Sequence, residues 1–149
     1  ALIDLAVHKI DVIRWLVGDI EEVTGFHSTL TKSIEVEDNG VMALRFKNGV
    51  LGLIDASWSV RSVQVRTEIY GTKGRLVIQD SPVTTVEAHF SDALNGKLVL
   101  HHQKDTGDDD PHVKCVRYFV ECVAAGKQPD VATLDDGVAA MEVLAKIYG

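Results

Sequence analysis

The feature that most restricts what this chain can fold into lies in its middle, where short β-prone runs follow one another across tight turns. "GVMALRF" and "VLGLIDASWSV" flank "KNG", whose Asn48-Gly49 suits a hairpin. "RTEIY" and "RLVIQD" flank "GTKG", and "TTVEAHF" and "KLVLHH" are separated by the loop "SDALNG". Ahead of them, "EEVTGFHSTLTKSIEVE" is strand-like in its Val, Thr, Phe and Ile content. About six strands joined by short turns make an antiparallel sheet.

Helices flank this series. In the tail, Asp110 can cap a helix that begins at Pro111, carries Val113, Val116, Val120 and Val123 at helical spacing, and stops at Gly126 and Pro129. A second helix follows, where Thr133 and Asp136 resemble a capping box with Asp in place of Glu, and Val138, Met141, Leu144 and Ala145 line one face. One helix before the strands and two after them give an α+β chain with no internal repeat and no low-complexity segment.

The first helix carries the chemistry. "DLAVHKID" sets Asp4, His8 and Asp11 at spacings of four and three, within roughly 60° of one another at about 100° per residue, with Trp15 a turn later. Leu5, Val7, Ile10, Val12, Ile13, Leu16 and Val17 occupy most of the remaining circumference as far as Gly18, which predicts a mostly buried helix. A polar stripe on such a helix can simply face water, and Lys9 and Arg14 dilute the apolar side. Against that, Asp and His are short, poorly solvating groups compared with Lys or Glu, and they line up with an aromatic. The wall of a cleft fits the stripe better.

Composition sets the outer bounds. A chain of 149 residues, 46% of them hydrophobic, matches one domain able to bury about 70% of its unfolded surface. A net charge of -7 with no basic run argues against nucleic acid or an anionic membrane as partner. With no apolar stretch approaching 18 residues and no signal-peptide pattern, the chain reads as soluble and cytoplasmic. Cys115 and Cys122 lie seven residues apart on a helix, about 10 Å along its axis, too far for a disulfide; two core cysteines are expected.

Two absences narrow the chemistry. No G-x-G occurs, so the glycine-rich turn through which a dinucleotide fold approaches pyrophosphate is missing, and "GTKG" lies between strand patterns rather than before a helix. A metal centre would need Asp4, His8 and Asp11 to meet a remote histidine, yet His101 and His102 alternate on a strand and His27 and His89 are isolated, so no metal site is expected. The chain starts at Ala1, without Met and directly on the approach to its most suggestive motif, which reads as a fragment.

Four stretches in order, "DLAVHKIDVIRWLVGDIEEVTGF", "LRFKNGVLGLIDASW", "EIYGTKGRLVI" and "LDDGVAAMEVLAKIYG", together resemble the C-terminal domain of the glucose-fructose oxidoreductase and inositol dehydrogenase family (Gfo/Idh/MocA), over nearly the whole chain. The resemblance implies an open, mostly antiparallel (mixed) sheet with helices on one face, as in glyceraldehyde-3-phosphate dehydrogenase-like oxidoreductases. It makes residues 1–149 the substrate-binding and oligomerisation domain of an NAD- or NADP-dependent dehydrogenase, its Rossmann domain being absent from this chain. His8 matches the family's acid/base histidine, and Asp4 the carboxylate four residues before it, so these are the candidate catalytic residues. Asp11 matches the following Asp and, with Trp15, is a candidate for binding or orienting substrate; Ala6 stands where the family often has Gly. The implied substrate is a polyhydroxylated small molecule such as a sugar, polyol, inositol or nucleotide sugar. NAD or NADP would serve the full-length parent, with none bound by this chain alone. The alternative is a non-catalytic module that binds a ligand or assembles subunits.

Self-association follows from the strands as well. Met42, Leu44 and Phe46 alternate with Val41 and Ala43, and Val50, Ile54, Ala56 and Trp58 oppose Leu51 and Leu53, so both sheet faces are apolar while three helices can cover only one. A second copy packed on the open face is expected, giving a homodimer or higher oligomer.

Overall fold

Every one of the turn-punctuated runs forms a strand, and every strand pair is antiparallel. The computed structural model describes residues 1–61, 65–80, 84–90, 98–101 and 110–149. A π-helical turn, Leu2–Ala6, runs directly into α1 (Val7–Val17). The strands are β1 (Ile20–Ser28), β2 (Asn39–Phe46), β3 (Leu51–Ser57), β4 (Arg66–Gly71), β5 (Gly74–Asp80), β6 (Thr84–Phe90) and β7 (Leu98–His101). The chain then forms α2 (Pro111–Ala124) and α3 (Leu134–Tyr148). The α+β class is as expected. Among the described residues, however, the strands number seven and pair as two sheets, β1-β2-β3 and β4-β5-β6-β7, rather than as one sheet of about six. They belong to two compact units, one of residues 1–60 and 118–149 and the other of residues 61–117.

In the first unit the period-2 pattern of β2 decides which face is covered. Met42, Leu44 and Phe46 are buried, and Ile54 and Ala56 of β3 join them. The π turn, α1 and α3 lie on that face, adding Leu2, Ala6, Ile10, Ala140, Val143 and Leu144 to one core. Each large apolar side chain fully buried there contributes roughly 1.5–3 kcal/mol. The opposite face is open: Leu51 is 74% and Leu53 70% exposed, and Phe26 on β1 reaches 82%. Both apolar faces anticipated from the strand pattern are therefore present, but Val50 and Trp58, expected beside Ile54 and Ala56, lie just outside β3 and are exposed.

The remainder of "EEVTGFHSTLTKSIEVE" corrects its reading as one long strand. Residues 20–28 form β1, while 29–38 is a connecting loop. Propensity favoured strand, but the loop's backbone amides bond to a side chain instead of a neighbouring strand. Leu30, Thr31 and Lys32 all donate to the carboxylate of Asp38, at 2.8, 2.9 and 2.8 Å.

In the second unit, "GTKG" closes the β4–β5 hairpin, with Gly71 opposite Gly74. Gly74 has φ +153, and a Cβ there would stand 1.9 Å from the carbonyl oxygen of His89. The glycine allows the start of β5 to approach the backbone of β6 closely, where Gly74 pairs with Phe90. The loop "SDALNG" and His102 lie outside the described residues.

The helix caps hold as read from the sequence. Asp110 accepts the His112 N–H at 2.7 Å. Thr133 accepts the Asp136 N–H at 3.2 Å while Asp136 accepts the Thr133 N–H at 3.0 Å, a reciprocal capping box. The cysteines are a correction: both are free, but Cys115 is exposed and Cys122 only half-buried, because Val116, Phe119, Val120 and Val123 of α2 are themselves exposed within this chain.

One glycine fixes how the first helical turn meets the sheet. Gly40 of β2 faces Leu2, and a Cβ added there would lie 2.6 Å from Leu2 Cγ and Cδ2. Leu2 is fully buried, so it has nowhere to retreat without moving the turn. Gly40→Ala is expected to lower unfolding stability by about 1–3 kcal/mol, the usual range for overpacking, measured by urea denaturation with fluorescence detection. An unchanged midpoint would mean that Leu2 repacks freely.

Candidate functional site

The helical segment carrying Asp4 and His8 turns one side to the core and the other outward. Leu2, Ala6 and Ile10, spaced by four, are buried against the sheet, with Ile13 and Val17 packed beside them. Asp4, His8, Asp11 and Trp15 are all exposed, Trp15 at 82%. The four residues singled out by spacing thus share the outward side of the helix. The expectation of a mostly buried helix is corrected, since Ile3, Leu5, Val12 and Leu16 flank the stripe and are exposed as well. An apolar margin around a polar stripe is what the reading of most of the circumference as core had detected.

The start of the segment departs from ordinary helix geometry. Residues 2–6 form a π turn, in which the Val7 N–H bonds to the Leu2 carbonyl five residues back. Such wide turns are uncommon and concentrate at functional sites. Asp4 lies within it and His8 just beyond.

Charges at the C-terminal end of the helix are paired, whereas those of the stripe are not. Arg14 bonds Asp19 at 3.1 Å and the Asp136 carbonyl at 3.4 Å, and Lys47 bonds Asp19 at 3.0 Å. These contacts hold the Asp19 carboxyl below its usual range, Lys47 and Arg14 being the chief causes. The C-terminus of α1 is further tied to the β2–β3 turn, where Asn48 Nδ2 donates to the Val17 carbonyl at 2.8 Å. Among the described residues, by contrast, Asp4, His8 and Asp11 make no side-chain hydrogen bond or ion pair within the chain.

Two adjacent carboxylates organise the other end of the helix. Glu37 Oε1 accepts the Leu2 N–H at 2.8 Å, the Tyr148 hydroxyl at 2.7 Å and the terminal amine of Ala1 at 2.9 Å. The Tyr148 ring also packs on His27, with centroids 5.4 Å apart. Asp38, fully buried, is ringed by the amides of residues 30–32 and by the side chains of Thr31, Asn39 and Ser59. Burial would raise the Asp38 carboxyl, but the Leu30, Thr31 and Lys32 amides outweigh it and hold the group far below the normal carboxylate range. Sequence reasoning missed both residues. Their only signal was a pair of adjacent acids, Glu37-Asp38, between the "SIEV" run and β2.

No group of three histidine, cysteine or acidic side chains placed to hold a metal ion occurs among the described residues. Nor does any helix there have the length and apolarity to cross a membrane.

Residues 1–77 match the family model described as the GFO/IDH/MocA C-terminal domain. The chain belongs to this family. Among its curated relatives, the myo-inositol 2-dehydrogenase of Thermotoga maritima is 31% identical over 144 residues, a match covering 92% of this chain and 42% of that protein. In its fold the chain resembles the aldose-aldose oxidoreductase of Caulobacter crescentus complexed with glycerol, with a TM-score of 0.80 at 23% identity over 99% of this chain and 44% of that one. It also resembles the WlbA dehydrogenase of Bordetella pertussis in complex with NADH and UDP-GlcNAcA, with a TM-score of 0.73 at 26% identity over 99% of this chain and 41% of that one. The chain therefore spans about two fifths of the proteins it matches.

The Glu37 cluster sets an acid limit on folding. Burial pushes the Glu37 carboxyl up, but hydrogen bonds to it, those of Tyr148 and Leu2 among them, prevail and hold it below the usual carboxylate range. The Tyr148 phenol, buried and facing that carboxylate, is pushed up to about 12. A depressed carboxyl stabilises the fold in full above its unfolded value of 4.5, and that contribution disappears as the pH falls from there through the lowered folded value. For Tyr148 the sign is reversed: the contribution is present below pH 10 and lost as the pH rises through about 12. Urea denaturation at successive pH values between 6 and 2 should show Glu37→Gln losing less stability on acidification than the unmodified chain. Parallel pH profiles would show that Glu37 gains nothing from its partners.

Proposed function

We propose that this chain is the substrate-binding and proton-transfer part of an NAD- or NADP-dependent oxidoreductase acting on a hydroxyl of a sugar, polyol, inositol or nucleotide sugar. The observation that carries the reading is the unpaired polar stripe: Asp4, His8 and Asp11 stand exposed together on one side of the helix without side-chain partners within the chain, whereas Arg14 near its C-terminus is paired with Asp19. The relatives' names, with myo-inositol, aldoses and a UDP-sugar among them, support the substrate class.

"GTKG" is a hairpin with no helix N-terminus behind it, which supports the reading that the dinucleotide is held elsewhere in the complete enzyme. The redox step thus belongs to a cofactor held by a domain outside this chain. This chain's share is binding and proton movement. A carbinol that gives up hydride must also lose its hydroxyl proton, and imidazole titrates near enough to neutrality to accept that proton and to return it in the reverse direction. His8 takes this role. Asp4, a turn away, accepts a hydrogen bond from a substrate hydroxyl or orients the imidazole, while Asp11 and Trp15 extend the stripe as binding groups. The Trp15 face suits the apolar side of a sugar ring.

In the complete enzyme, His8→Ala is expected to lower kcat by about 10²–10⁴, with little effect on cofactor affinity. Asp4→Asn should also impair turnover, with a larger share falling on the substrate KM. Steady-state kinetics with myo-inositol and NAD as the first probe pair decide this. A His8→Ala enzyme with near-normal kcat would leave the stripe a surface feature.

The open sheet face supports a second part of the proposal, that the protein is a homo-oligomer; a cytoplasmic location is proposed with it. Phe26, Val41, Leu51 and Leu53 form an exposed apolar surface on the side of the sheet away from α1 and α3. Monomers rarely leave such a face bare. Light scattering at micromolar concentration should report about twice 16.3 kDa or more; a monomer would show that the face is covered in some other way.

A further inference from the structure

We propose that Glu37 is a positioning residue for Asp4 and His8, acting through the first turn of their helix; this rests on the reading of those two residues as substrate-binding and proton-transfer groups. A backbone N–H removed from water needs an acceptor. Here the acceptor for the Leu2 N–H comes from a segment 35 residues away, as the Oε1 of Glu37 at 2.8 Å. The same oxygen is held by the Tyr148 hydroxyl, so the carboxylate is itself fixed by the last turn of α3. Leu2 is fully buried against Gly40, which fixes the side chain of the residue whose amide Glu37 holds.

Two residues further on, Asp4 lies within the π turn, and His8 follows in regular α-helix. A π turn contains one residue more per turn than the α-helix it interrupts, so its relaxation to α geometry would rotate the preceding residues by about 100° relative to those that follow. Asp4 is on the side that would rotate and His8 on the side that would not. Their common orientation therefore depends on what keeps the turn wide, and the buried Leu2 amide bonded to Glu37 is the fixed point at its start. A misplacement of about 1 Å between reacting groups can cost as much as 10²-fold in rate.

The test separates reach from charge. Glu37→Gln keeps an oxygen at the same distance from the Leu2 N–H and the Tyr148 hydroxyl. Glu37→Asp keeps the charge but is one methylene too short. In the complete enzyme, with myo-inositol and NAD, Glu37→Gln should stay within about threefold of the unmodified kcat. Glu37→Asp and Glu37→Ala should both fall by about 10- to 100-fold in kcat, with a raised substrate KM and an unchanged cofactor KM. Amide hydrogen exchange on this 149-residue chain gives a readout independent of substrate. In Glu37→Asp, exchange at Leu5 and Val7 should quicken at least tenfold, while Val143 and Leu144 in α3 keep their protection. If Glu37→Asp matches or exceeds Glu37→Gln in turnover, or if exchange quickens equally in α3, Glu37 is a general stabiliser and the proposal is wrong. His8→Ala in the same enzyme tells the two readings apart. A normal kcat there removes the proton-transfer reading and this inference together, whereas a large loss there beside a flat Glu37 series removes this inference alone.

Discussion

The arrangement depends on the seating of one short helix across a three-stranded sheet and on its being pinned at both ends by loops of that sheet. At its C-terminus, the turn between β2 and β3 supplies Asn48 to the Val17 carbonyl, and Arg14 and Lys47 meet at Asp19. At its N-terminus, the loop before β2 supplies Glu37 to the Leu2 amide. Between these ends, Leu2, Ala6 and Ile10 press into the core formed by Met42, Leu44, Phe46, Ile54 and Ala56. The helix can neither slide nor roll without breaking polar contacts at one end or the other, and the outward positions of Asp4, His8, Asp11 and Trp15 follow from that.

Glu37 and Asp38 divide this labour. Neighbouring residues in an extended segment point to opposite sides, so one carboxylate turns to the helix and the other to the loop. Asp38 gathers the amides of residues 30–32 with Ser59 from beyond β3, closing the sheet end on which the π turn begins. Burying a carboxylate is costly unless its lone pairs are filled, and both are filled by donors from several segments. Such a pair ties the loop and the helix start to the same few residues, and each is in place only when both are.

What could be read from the sequence was local. The hairpins at "KNG" and "GTKG", the Asp110 cap and the Thr133–Asp136 box are specified within a few residues of one another, and all of them form. The alternation of β2 and β3 likewise revealed both sheet faces. What escaped was set by partners distant in the chain. Nothing near residues 29–36 announces that Asp38 will take their amides, so β propensity overran the end of β1. Nothing near Leu2 announces Glu37 or a π turn. The stripe itself was legible because its period is that of the helix, but the exposure of Leu5, Val12 and Leu16 was not, since periodicity cannot tell a side chain buried within this chain from one reserved for another surface.

That last point gives the exposed apolar residues of α1 a meaning different from those of the sheet. Phe26, Leu51 and Leu53 lie on the side of the sheet away from the helix layer, with Val41 between them. Ile3, Leu5, Val12 and Leu16 border the polar stripe itself, on the far side of that layer. A small polyhydroxylated ligand could not cover both margins of the stripe while bonding to its centre. An apolar rim around unpaired polar groups excludes water only when a second protein surface closes on it, and exclusion of water is what makes a hydrogen bond donated to Asp4 or a proton transfer to His8 effective. In the proposed enzyme that second surface is the cofactor-bearing domain. On that reading the helix that is half-exposed in this chain would form one wall of a cleft, with the polar stripe at its centre and the exposed apolar residues beside it as the seal.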